Sequence, residues 1–147
     1  MSKTAASLSV AIALLILVFA AQPSRANITE LGELRVDITH PFIIGNTTLP
    51  AGHYDFHMLQ GADQRVMIAT NSNGDTSIEF LVRRSKDSHI PQHTEFVFDR
   101  YGKKEILKEI YQANSQNGVA LIESSRIEQR LQKQGQKADR HTEGETQ

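Results

Sequence analysis

Short runs in which apolar and polar residues alternate recur along most of the chain. Leu34, Val36 and Ile38 occupy every second position of one run, and Phe96 and Phe98 do so in another. Because successive side chains of a β-strand point to opposite faces, a period of two predicts half-buried strands. The same reasoning predicts further strands at 42–44, 53–59, 65–70, 76–84 and 118–122.

Turn-forming residues separate these runs. Residues 46–52 are predicted to form a turn, because Pro50 fixes φ and Gly52 tolerates positive φ, and Asn73 with Gly74 is a strong hairpin signal. The polar stretch 85–92 contains Pro91 and predicts a loop. About seven short strands with no strand–helix alternation predict a mainly β fold, an antiparallel β-sandwich or a small barrel.

Two segments toward the end of the chain carry a helical spacing. In 104–112 the apolar residues recur at helical intervals, yet the preceding turn at 101–103 favours the return strand of a hairpin. We predict a strand there, with a helix as the alternative. In 123–132, Ile127 and Leu131 lie four apart in a polar background, which predicts a short surface helix.

The first residues are typical of an export signal. Lys3 precedes an uncharged stretch of 14 residues, 8–21, which is shorter than the roughly 20 apolar residues that cross a bilayer. Small residues at Ser24 and Ala26 predict cleavage after Ala26, and an uncleaved anchor is the alternative. The predicted organisation is a signal peptide at 1–26, one β-rich domain at 27–132 and a disordered polar tail at 133–147, in a protein that is periplasmic or secreted.

Composition excludes several classes of protein. With 39% hydrophobic and 22% charged residues, the chain is neither disordered nor collagen-like. A net charge of −1 argues against a nucleic-acid partner held by general basicity. The absence of cysteine excludes disulfides, thiolate metal sites and cysteine nucleophiles.

Three phrases of the sequence resemble a known family. They are Pro41-Phe42, the LPAGHY of 49–54 and the FVFDRYG of 96–102. In combination they resemble small exported β-rich proteins of the Acidobacteria type, for which no activity is established. The resemblance covers about the middle two-thirds of the chain and implies a strand at 106–111 and a Ser-x-x-Glu segment, here Ser125 and Glu128.

Two positions depart from that family's pattern. Asp99 stands where the family carries histidine, and Tyr111 stands where it carries tryptophan. Since the histidine is absent here, the phrase around Asp99 is interpreted as a structural motif.

Histidines offer the only candidate metal ligands in the sequence. His53 and His57 have the spacing His-x3-His, but on a strand they lie about 13 Å apart, too far to share an ion. His89 and His93 have the same spacing in a loop, with Asp87 beside them. Asp87, His89 and His93, called the loop site below, form the candidate zinc, copper or nickel site, and solvated loop histidines are the alternative.

No catalytic motif is present. Serines occur outside the Gly-x-Ser-x-Gly and Ser-x-x-Lys contexts, and no glycine-rich phosphate loop is found. We therefore expect a non-enzymatic domain without cofactor that acts as an envelope-associated binding or structural module. Its expected partner is an envelope protein or polymer, with no nucleic acid and no stable membrane insertion after cleavage. A periplasmic metal-binding protein that uses the loop site is the alternative.

Overall fold

A computed structural model describes residues 31–59, 65–122 and 125–144 of the chain. The predicted signal peptide lies outside these residues and stays a prediction. Within the described ranges, no helix has both the length and the apolar character needed to cross a bilayer.

The described residues form a mainly β fold with one short helix, which confirms the predicted fold class. The elements in chain order are β1 (Leu34–Ile38), β2 (Phe42–Ile44), β3 (Thr47–Leu49), β4 (Gly52–Met58), β5 (Val66–Asn71), β6 (Ser77–Lys86), β7 (Glu95–Tyr101), β8 (Lys104–Tyr111), β9 (Asn117–Leu121), α1 (Arg126–Lys133) and β10 (Asp139–Gly144).

One sheet folds over into two layers that face each other as in a β-sandwich. Strands β1, β4, β5 and the first half of β6 make one layer, joined by antiparallel pairing. The second half of β6 pairs with β9 and so continues into the other layer, where β8 is the central strand. There β8 also pairs with β7 and, in parallel, with β2. The order of hydrogen-bonded strands begins at β1 and ends at β3, and these two strands do not pair to close a barrel. Of the two predicted architectures, the structure therefore has the sandwich.

A single large apolar core lies between the two layers. The rings of Phe56 and Phe96, from opposite layers, have centroids 5.0 Å apart, as do those of Phe42 and Tyr54. Phe98 is buried in the same cluster, and Phe80 is partly buried against it. Burial of these rings is the main source of stability in a chain that has no cysteine.

The ambiguous segment is the strand β8, and a bulge explains its helical spacing. Leu107 pairs with Phe98 and Glu109 pairs with Val97, so Lys108 is an extra residue without a partner in the pairing. A bulge shifts the alternation by one residue, which puts Leu107 and Ile110 in the same core although they are three apart.

Helix α1 covers the outer face of the layer that contains β8. Its Leu131 is buried against Ile106 and Tyr101, and Ile127 packs beside them. Ser125 caps the helix, since its hydroxyl accepts hydrogen bonds from the backbone N–H groups of Ile127 and Glu128. The helix predicted at 123–132 is confirmed over most of its length.

Two elements differ from the prediction. Thr47–Leu49, predicted as part of a turn, forms β3 against β2. The prediction that 133–147 is a disordered tail was wrong over Asp139–Gly144, because these residues form β10, which pairs with β7 along its whole length. Polar composition misled the prediction, since an edge strand needs backbone pairing rather than apolar side chains. The β-rich domain therefore extends past residue 132.

Replacement of Gly102 by valine is expected to destabilise the fold. Gly102 lies in the β7–β8 turn at φ 61°, in the left-handed region, while the space around its Cβ position is open. The valine side chain would therefore meet no steric clash, but it would strain the backbone and lower the unfolding free energy by about 1–2 kcal/mol. Chemical denaturation measures it.

The matched control is Gly32→Val. Gly32 is outside the positive-φ region and equally open, so the unfolding free energy should change by less than about 0.5 kcal/mol. Equal losses in both variants would show that the turn imposes no special backbone demand.

Candidate metal centre

The edges of the two layers meet at one rim of the core, where His40 lies. It follows β1 and precedes Pro41, which disfavours helical backbone for His40 and carries the chain out of the strand. Its ring contacts Phe98 edge-on with centroids 5.6 Å apart. His40 is thus fixed at the boundary between the apolar core and the edge of β1.

Strand β10 brings two further side chains to the same rim. His141 and Glu143 are two residues apart, so they point to the same face of the strand. They lie opposite Phe98 and Phe96 of β7, whose side chains enter the core. His141 and Glu143 therefore face inward, toward His40.

The rim cluster, defined as His40, His141 and Glu143, is compact and largely shielded from solvent. His40 Nδ1 lies 3.1 Å from Glu143 Oε1, and the rings of His40 and His141 have centroids 5.4 Å apart. The exposed fractions of the side chains are 22% for His40, 12% for Glu143 and 26% for His141. Each residue offers one ligand atom such that all three atoms lie within 4.8 Å of one another.

Two polar atoms of the rim cluster are buried without a hydrogen-bond partner. They are His40 Nε2 and Glu143 Oε2, the two such side-chain atoms among the residues described. Leaving a buried polar group unpaired costs about 1–3 kcal/mol. Since a carboxylate oxygen only accepts, the contact with Glu143 places the proton of a neutral His40 ring on Nδ1 and leaves a lone pair on Nε2.

Glu105 orients the second histidine. Its buried carboxylate accepts a hydrogen bond from Arg100 Nε through Oε1, and Oε2 lies 3.2 Å from His141 Nδ1. By the same argument, Nδ1 of a neutral His141 is the donor and Nε2 keeps its lone pair. A carboxylate behind a histidine is the usual support of a metal-ligating imidazole.

The donor set suits a divalent transition metal. Two imidazoles and a carboxylate bind zinc, and imidazole also suits copper and nickel. Ligands about 2.0 Å from a tetrahedral ion lie about 3.3 Å from one another. The donor atoms of the rim cluster lie within 4.8 Å of one another, so their separations would have to shorten by about 1.5 Å at most. Rotation of the side chains can supply a movement of this size.

The loop site is spread along an exposed segment. Asp87 accepts hydrogen bonds from the backbone N–H of His89 and from Arg140 Nη2, at 3.1 and 3.0 Å. The bond from His89, with the charge of Arg140, holds the pKa of Asp87 below its usual value. His89 Nε2 is 3.9 Å from Glu95, and His93 is exposed. Among the described residues the structure gathers a different group, the rim cluster, and metal binding by the loop site stays a prediction.

A second polar cluster lies beneath α1. The carboxylate of Glu128, which is almost fully buried, accepts hydrogen bonds from Lys108 Nζ at 2.9 and 3.1 Å. Tyr101 Oη donates to the same carboxylate at 3.4 Å. Burial raises the pKa of Asp99, and its contact with Glu128 raises that pKa further. The positive charge of Lys108 acts in the opposite direction and lowers it. This cluster has its own cation and fastens the helix to the sheet.

A half-open cleft lies between the β2–β3 turn and β6. Its volume is about 390 Å³, and its apolar lining comes from Ile44, Ile78, Phe80 and Leu121. The exposed side chain of Leu81 lies at the same cleft.

Sequence reasoning missed the rim cluster for a definable reason. His40 is about a hundred residues from His141, so no local spacing links them. The available signal was the His-x-Glu pair at 141 and 143, which places two donors on one face if the segment is a strand. Assigning that segment to a disordered tail removed the signal.

Asp99→Asn is expected to stabilise the protein at neutral pH. As pH rises above 3.8, the unfolded chain loses the proton of Asp99 before the native chain does, because the native pKa is raised. The unfolding free energy of the wild type therefore falls between pH 3.8 and the raised native pKa, and it stays lower at higher pH. The variant should melt at a higher temperature than the wild type at pH 7, and the difference should vanish at pH 3.

The control is Asp75→Asn in the exposed β5–β6 turn. If both variants shift the melting temperature equally at pH 7 and pH 3, burial of Asp99 has no effect on stability.

Comparison of the chain with known protein families, with curated proteins and with solved structures finds no match in any of the three. The resemblance to small exported bacterial proteins therefore stays a prediction.

Proposed function

We propose that the protein is an exported, non-enzymatic β-domain that binds a divalent transition-metal ion at the rim cluster. Export is proposed from the charged, apolar and small-residue pattern of residues 1–26. The binding role joins the two functions expected from the sequence, an envelope-associated module and a metal-binding protein. In this proposal the metal ligands are the residues of the rim cluster and not those of the loop site.

One observation carries this proposal. In the rim cluster, His40 Nε2 and Glu143 Oε2 are both buried without a hydrogen-bond partner, and the ring of His141 lies beside that of His40. A cation bound in the cluster, after rotation of the His40 and Glu143 side chains, would take up their lone pairs and give these unpaired atoms a partner. It would also offset the cost of burying them, which a structural role for the cluster leaves unexplained.

The surroundings of the cluster support the same function. Glu105 holds His141 from behind, in the arrangement that supports ligating histidines elsewhere. Arg100 in turn holds Glu105, so the second carboxylate is fixed and its charge compensated. Thr39 Oγ1 donates to Glu143 Oε1 at 3.3 Å and orients that carboxylate. The three ligands thus sit in a supported frame on two different layers.

Zinc titration of the purified protein should show one ion bound per chain. His40→Ala and Glu143→Gln should each weaken binding at least 100-fold, because each removes a ligand. Glu105→Gln should weaken it about 10- to 100-fold, the effect of losing an outer support. Isothermal calorimetry with zinc, nickel and copper measures the affinities, with calcium and magnesium as ions that this donor set disfavours.

Three variants outside the rim cluster serve as controls. His89→Ala and His93→Ala test the loop site, and His53→Ala removes a well-exposed histidine of β4. All three should bind zinc like the wild type. If His93→Ala loses binding while His40→Ala keeps it, the loop site is the metal site and the proposal is wrong.

A turnover assay tests the non-enzymatic part of the proposal. Zinc-loaded protein should not turn over ester, peptide or glycoside substrates. Turnover that disappears on one point substitution would replace the binding role with catalysis.

Native mass spectrometry of protein from the envelope and medium fractions of its own cells tests export and occupancy together. The expected species starts at residue 27 and retains one metal ion. A bare chain in both fractions would favour a purely structural module, with an envelope protein or polymer as its partner.

A further inference from the structure

Strand β10 has no apolar side chain to hold it in place. Its sequence is DRHTEG, and the two residues that face inward, His141 and Glu143, are both metal-ligand types. Toward the core, the ring of His141 contacts Phe98, with centroids 6.2 Å apart, and its neighbour His40 is itself polar. Departure of β10 would therefore cost little hydrophobic burial.

The remaining attachments of β10 are polar. It pairs with β7 through the backbone, and Thr39 donates to Glu143. Arg140 binds Asp87 and lies near Glu109, and His141 contacts Glu105. The segment from 134 to 138 that joins it to α1 is exposed throughout. Backbone pairing at an edge gains little net free energy once the chain must be ordered to make it. Without further help β10 is a weakly held strand.

The strand beneath it is far more firmly held. In β7, Phe96 and Phe98 are fully buried in the core, and its other edge pairs with β8. If β10 leaves, the backbone N–H and C=O groups of Glu95–Arg100 that point toward it become available for pairing. An open, ordered strand edge of this kind binds an added strand through main-chain hydrogen bonds.

We propose that the edge of β7 is a strand-acceptor surface, that metal in the rim cluster keeps β10 seated on it, and that its partner is β10 of a second copy of the chain. The proposal rests on the proposed metal-binding function. An ion bound by His40 on one side and by His141 and Glu143 on the other would join β10 to the opposite layer. Loss of the ion would free β10 and uncover the edge.

The second copy is the partner because its strand has the same complementary groups. Its Arg140 would face Asp87, its His141 would face Glu105, and its Glu143 would face His40. Exchange of identical strands replaces every contact by an equal one, so it is a low-cost route to a dimer. The metal site of such a dimer would take His40 from one copy and the other two ligands from its partner.

Hydrogen exchange on the whole protein tests the metal control. After the metal is removed with EDTA, the amides that bond across the β7–β10 pair within residues 95–100 and 139–144 should exchange at least tenfold faster, and zinc should restore their protection. The β7 amides that bond to β8 should stay protected in both states. Amides of Val66–Asn71 in β5, which is paired on both sides, provide the internal control. The double variant His141→Ala/Glu143→Ala should show no protection by zinc.

A labelled peptide with the sequence of residues 136–147 tests the acceptor surface. Fluorescence anisotropy should show that the peptide binds to the metal-stripped protein at least tenfold faster than to the zinc-loaded protein, because zinc must leave before β10 can open. A scrambled peptide is the control. Analytical ultracentrifugation should show that the stripped protein reaches its monomer–dimer equilibrium at least tenfold faster than the zinc-loaded protein.

The outcomes separate the two proposals. If calorimetry finds no zinc binding, the proposed function fails and the metal control fails with it. If zinc binds but amide exchange and peptide binding are the same with and without it, the metal site stands and the inference about β10 is overturned. Binding of the scrambled peptide as tightly as the native one would overturn the choice of a second copy as partner.

Discussion

The whole arrangement depends on one apolar core that a single sheet encloses by folding over itself. With no disulfide available, contacts such as that between Phe56 and Phe96 must hold the two layers together. Strand β6 makes this possible, because its first half pairs in one layer and its second half in the other. The fold fixes the relative position of the layers, and this in turn brings the edge strands β1 and β10 side by side at the rim.

The candidate site is a consequence of that geometry. His40 follows β1 and belongs to one layer, whereas His141 and Glu143 lie on β10 of the other. Apolar side chains could complete the packing at the rim where β1 and β10 meet. Instead, His40, His141 and Glu143 occupy this position, and all three are residue types that bind metal ions. Two of their polar atoms are buried without partners, so the cluster costs free energy in a metal-free chain. The proposed metal binding would offset that cost, and because β10 buries little apolar surface, the proposed ion would also hold the strand in place.

Much of the fold follows from local pattern, and the site does not. Period two identified the strands that are half-buried, as at Leu34–Ile38, and glycine at 102 identified a turn that needs positive φ. The segment Lys104–Tyr111 was ambiguous because α1 buries its outer face and a bulge at Lys108 shifts its alternation. Strand β10 escaped prediction because it is stabilised by pairing and polar contacts rather than by apolar burial. The local His-x-Glu spacing at 141 and 143 could indicate two members of the rim cluster, but no local signal links them to His40, which is about a hundred residues away.

Zinc bound to the protein can be located directly by anomalous X-ray diffraction from zinc-soaked crystals, with data collected on both sides of the zinc absorption edge. The account predicts one strong peak within about 2.2 Å of a nitrogen of His40, a nitrogen of His141 and an oxygen of Glu143. A peak at Asp87, His89 and His93 with none at the rim, or no ordered zinc at all, would contradict it.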